Sequence, residues 1–78
     1  MSQSLAERFP ERSIVVYEPG YLNENGEPIQ EIGVVSSYSW DHKYVFVKFK
    51  RDLDYFNDNW DAVTAKACKP ESLIKIIQ

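Results

Sequence analysis

Apolar residues in this 78-residue chain come only in short runs, most of them flanked within a few residues by glycine, proline, asparagine or aspartate. Such a chain builds short strands joined by turns, because those residues either break the ladder or supply the angles a turn needs. The clearest run is Lys43-Tyr44-Val45-Phe46-Val47-Lys48-Phe49-Lys50. Side chains alternate across a strand, so Val45, Val47 and Phe49 share one face. Tyr44, Phe46, Lys48 and Lys50 share the other, and the lysines mark that face as solvent-facing toward its end.

The same reading gives four more strands. Ser13–Glu18 is β-branched and aromatic and ends at Pro19-Gly20; Glu31–Tyr38 follows, and Gly33 within it predicts a bulge or sharp bend. Between them, Tyr21–Gln30 is a polar loop with the turn dipeptide Asn25-Gly26, long enough for a small hairpin extension. Residues 39–42 form a turn. Asp52–Asp61 reads as a second long loop. Ala62–Ala67 is too short for a stable helix, and Val63 and Thr64 favour a strand there. Lys69–Leu73 fits one tight helical turn at Pro70, and Ile74–Ile77 closes as a strand. Residues 1–12 are expected to form a fraying N-terminal arm, although Ser4–Arg8 could make one helical turn before Pro10.

Residues 13–78 therefore predict a mainly β domain: a small five-stranded SH3-like barrel with long loops and one helical turn before the last strand. Closing the sheet would also remove its exposed edges. A chain of this length buries roughly 60% of its unfolded surface and has no room for a second core.

Net charge is −3. A duplex-DNA binder usually carries a basic surface, and this chain lacks that balance. The charge is uneven, however. Acids dominate residues 1–40, whereas bases slightly exceed acids over 41–78, with Lys48, Lys50 and Arg51 clustered. The single cysteine, Cys68, cannot close an intrachain disulfide, and no segment resembles a signal peptide or a membrane span. These features predict a soluble protein of a reducing cytoplasm.

Gly33-Val34-Val35-Ser36-Ser37, Tyr44-Val45-Phe46-Val47-Lys48-Phe49 and Ala65–Leu73, with its Pro70-Glu71-Ser72-Leu73, resemble small phage- and prophage-encoded SH3-like barrel proteins. Val15–Gly20 fits the start of the same pattern. The resemblance spans about residues 13–77 and consists mostly of core and turn positions. It implies a fold and an accessory protein of a mobile element, such as one that binds and inhibits a host defence factor. It carries no site residue.

Catalytic chemistry finds little support. His42 is the only histidine and Cys68 the only partner for a Cys/His pair; free cysteine more often fills a buried slot. The series Asp52, Asp54, Asp58, Asp61 invites a calcium reading, but Asn57 and Val63 occupy positions where an EF-hand loop needs glycine and glutamate. No metal or cofactor is expected, and no enzyme activity.

Two surfaces could meet a partner. Tyr55, Phe56, Asp58 and Trp60 place aromatics among acids, as a protein-binding site would; alternatively Phe56 and Trp60 fold back to plug the barrel. Tyr44, Phe46, Lys48, Lys50 and Arg51 could instead hold single-stranded nucleic acid in the manner of a KOW or Tudor-like barrel, or simply form cross-strand aromatic pairs. A protein partner of host or phage origin is the favoured reading, nucleic acid the alternative. Outer-face Tyr44 and Phe46 also allow an oligomeric assembly subunit.

Overall fold

The β-branched runs pair into one antiparallel sheet of five strands in a computed structural model that describes residues 4–77, with side chains through residue 74. The strands are β1 (Ile14–Tyr17), β2 (Glu31–Tyr38), β3 (Val45–Phe49), β4 (Lys66–Cys68) and β5 (Leu73–Ile77). Their order is β4-β3-β2-β1-β5. Strands β4 and β5 are therefore the two ends of the sheet, and the ladder does not close between them among the described residues. Residues 1–3 of the expected arm and Gln78 lie outside the described residues.

The inner face follows from the alternation. Val15, Val35, Val45 and Val47 are fully buried; Phe49, Cys68 and Leu73 join them, and Tyr17 and Tyr38 pack at the margin. Tyr17 and Phe49 meet at a ring separation of 5.7 Å. The inward set expected for β3 is thus the observed one.

Two positions in β2 shape the sheet differently from expectation. The bulge falls at Ser36, where the register slips between Val35↔Val47 and Ser37↔Phe46. Gly33 instead stays in register opposite Phe49, buried beneath β3. A Cβ there would fall inside the van der Waals envelope of Val47 Cγ1. Its glycine is required by close approach, not by the bulge.

The described part of the N-terminal segment packs against the core instead of standing free of it. Leu5–Arg8 forms the single-turn helix α1, capped where Glu7 N–H donates to Ser4 Oγ at 3.2 Å. Leu5 and Phe9 enter the core at 6% and 4% exposure. Tyr38 Oη donates to the Phe9 carbonyl, and Arg12 N–H donates to Val35 O at 2.8 Å, fastening the segment to β2. A core this small gains about 2 kcal/mol from each large apolar side chain it buries, which outweighs the ordering cost of one turn.

The β1–β2 loop does form a small hairpin extension. Leu22 bridges Pro28, Gly26 has φ 77°, and Asn23 Oδ1 accepts from Asn25 N–H and Glu27 N–H. The β3–β4 connection departs further from expectation. It carries a six-residue helix, α2 (Lys50–Tyr55), then a 3₁₀ turn at Trp60–Ala62; β4 begins only at Lys66. Residues 62–65 are therefore not strand. The proline-initiated turn before β5 forms as a 3₁₀ turn at Pro70–Ser72. No described helix is long and apolar enough to cross a membrane.

Candidate functional site

Helix α2 has weak local support. Its N-cap, Phe49, offers no side-chain hydrogen bond, and Lys50 and Asp54 pair at 2.9 Å in the less favourable sequence order. Its C-terminal end is well made. Asn57 N–H donates to Asp54 O at 3.2 Å and Asp58 N–H to Leu53 O at 2.7 Å. This pair of bonds is the Schellman arrangement, which turns the chain through left-handed angles. Asn57 and Asp58 adopt φ 54° and 61°, a region that asparagine and aspartate enter more readily than other side chains.

The helix rests on the outer face of the sheet. That face is apolar as well: Ile14 lies opposite Val34, and Val16 opposite both Ile32 and Ile74. Ile32 and Ile74 are 47% and 50% exposed. Leu53 reaches down toward this surface without filling it. A groove of about 380 Å³ remains, walled by Ile14, Ile32, Val34 and Leu53 and rimmed by Lys50, Asp54 and Asp58. The unbroken Ile14-Val15-Val16 run is the signal for this patch, since a strand apolar on both faces does not alternate.

The structure divides the aromatic loop residues. Tyr55 and Phe56 stand on the surface, 79% and 42% exposed, and meet edge to face at 4.9 Å. Asp58 is exposed at the groove rim. Trp60 turns back and is half-buried. Its ring lies 3.7 Å from the Arg12 guanidinium carbon and 4.4 Å from Lys48 Nζ. Phe56 therefore does not plug the sheet, while Trp60 covers part of its outer face.

The basic cluster is engaged internally. Lys48 is not solvent-facing: it is 9% exposed, and its Nζ donates to Trp60 O at 2.6 Å. Lys50 pairs with Asp54, an interaction that raises the pKa of the ammonium above the ordinary lysine value. Arg51 pairs with Glu31 at 2.8 Å. Phe46 is half-buried, and Tyr44 precedes β3 at 39% exposure. The five residues thus form no continuous strip of unpaired cations and open aromatic faces.

The remaining reactive side chains are apart from this surface. Cys68 is buried, and burial pushes its thiol up to about 11, with Glu31 adding to the effect. His42 sits at φ 60° in the β2–β3 turn. There Ser39 Oγ–H donates to Asp41 Oδ1 at 2.7 Å. That bond, then the Lys43 backbone N–H, holds the Asp41 carboxyl below its ordinary range. Among the described residues, no three His, Cys, Asp or Glu side chains converge as a metal site. No protein-family model, curated protein or solved structure matches the chain.

Proposed function

We propose that this chain is a non-catalytic protein-binding module whose contact surface is helix α2 and the apolar sheet face beside it. The observation that carries the reading is the exposed Tyr55–Phe56 pair on the stretch of chain between Leu53 and Asp58, two residues that line an unfilled groove. Exposed aromatic side chains and apolar pockets are both usual anchor points of an interface. Acids around them favour a basic partner and speed its encounter. Trp60 supports this surface through its contacts with Arg12 and Lys48, which fix the chain that returns from Asp58 to the sheet.

The scaffold we infer is SH3-like. Strand order β4-β3-β2-β1-β5, with one 3₁₀ turn before the last strand, supports it, although the ladder stays open between β4 and β5. The resemblance to phage and prophage proteins supports an accessory role in a bacterial cytoplasm, with inhibition of a host defence factor as the outcome of binding. The nucleic-acid alternative draws less support, because Lys48, Lys50 and Arg51 already have partners within the chain.

Capture from nuclease-treated bacterial lysate tests the reading. The folded double variant Tyr55→Ser, Phe56→Ser should lose a protein that the unaltered chain retains. Retention of the same protein by both would remove this surface from the function. Salt-sensitive binding of single-stranded DNA with no protein captured would favour the alternative.

A further inference from the structure

In a Schellman ending, the residue at the second position past the helix cap is commonly apolar and covers the residue three positions before the cap. In this chain those positions are Asp58 and Leu53, as the 2.7 Å bond between them identifies. A carboxylate therefore stands where a covering side chain is usual. It leaves Leu53 half-buried in the groove wall and puts a negative charge at its edge. Asp58 makes no ion pair among the described residues. Its neighbour Lys50 is held by Asp54, so the rim keeps a net negative charge.

We propose, resting on the protein-binding reading above, that the groove takes one large aliphatic side chain of a partner segment, with a Lys or Arg of that segment seated on Asp58. The apolar walls supply the burial of the anchor; the carboxylate supplies orientation and discriminates against acidic segments. A segment with both groups on one side, such as an amphipathic helix with leucine and arginine one turn apart, fits this arrangement.

The test is titration of the isotope-labelled full chain with three short alanine-based helical peptides. The first carries leucine and arginine one turn apart, the second leucine and glutamate, the third serine and arginine. The first should shift the amides of Ile14, Ile32, Val34, Leu53 and Asp58, and should bind more tightly than the other two. Asp58→Asn keeps a side chain suited to left-handed angles and should weaken that binding by about two- to fivefold, the worth of one exposed charge contact. Thermal unfolding of Asp58→Asn should match that of the unaltered chain.

No shifts at millimolar peptide, shifts at another surface, or equal binding of the glutamate peptide would overturn the proposal. Shifts of the same amides on raising the concentration of the chain alone would assign the groove to a second copy and likewise overturn it. A lysate partner that needs Tyr55 and Phe56 yet ignores both Asp58→Asn and added salt would overturn this inference while leaving the binding reading intact.

Discussion

Gly33 and Cys68 show how little spare volume the inner face has. At Gly33 the opposing Val47 methyl leaves no space for a Cβ, so Gly33→Ala should destabilise the chain by about 1–3 kcal/mol in urea unfolding. Cys68 titrates with a sign that burial dictates. Its folded pKa, about 11, lies above the value of a solvated thiol, so the folded state keeps a proton that the unfolded state has lost. Stability should be intact below about pH 8.5 and fall progressively as pH rises through 11. Cys68→Ala should flatten that decline, leaving the contribution above about pH 10 to Tyr17 and Tyr38, whose pKa values burial also raises. Chemical denaturation at stepped pH reads both effects. Lysine 48 separates packing from charge: Lys48→Ala should cost about 1–3 kcal/mol, whereas Lys48→Met, which keeps the aliphatic stem under Trp60, should cost less. Equal, negligible losses would mean that Lys48 is not packed there.

Among the elements, α2 is the one that tertiary contacts build. A helix of six residues without a capping side chain is unstable alone. Leu53 on the outer face and the left-handed turn at Asn57 and Asp58 hold it in place. Asn57→Gly should leave stability unchanged or raise it by a few tenths of a kcal/mol, and Asn57→Ala should lower it by about 1 kcal/mol. A reversed order of these variants in thermal unfolding would contradict the Schellman ending. The helix was illegible because Lys50–Tyr55 is under two turns long and its one aliphatic residue, Leu53, sits among charges, too short a stretch to show a helical period. The strand expected at 62–67 failed for a related reason. Trp60 spends that part of the chain on covering Lys48, so only Lys66–Cys68 reaches the edge of β3.

At the scale of the whole molecule, the N-terminal segment is part of the fold. Phe9→Ala should destabilise by about 3–5 kcal/mol, because Phe9 is 4% exposed and its carbonyl receives the Tyr38 hydroxyl. In hydrogen exchange, the Arg12 and Val35 amides should be protected alongside the central strands, since each bonds across that junction. Rapid exchange at both would mean that the segment opens independently. Composition alone favoured a free arm there, because two apolar residues among polar ones cannot signal which surface they will meet.

Period-2 alternation determined the inward face of β3, Pro19-Gly20 and Asn25-Gly26 marked the connection from β1 to β2, and Pro70 marked the turn before the final strand. These are local properties: side-chain alternation and backbone angles are set within a few residues. The sequence also singled out Tyr55, Phe56 and Asp58 as surface candidates, on the grounds that aromatics among acids are costly to leave in a loop. Only tertiary structure decided that Trp60 would turn back between Arg12 and Lys48, that Ile14, Ile32 and Val34 would meet Leu53 as a groove, and that Leu5 and Phe9 would complete the core. Each of these joins residues far apart in the chain, and what brings them together is the apolar area that two remote segments can bury against each other, which no window of sequence contains.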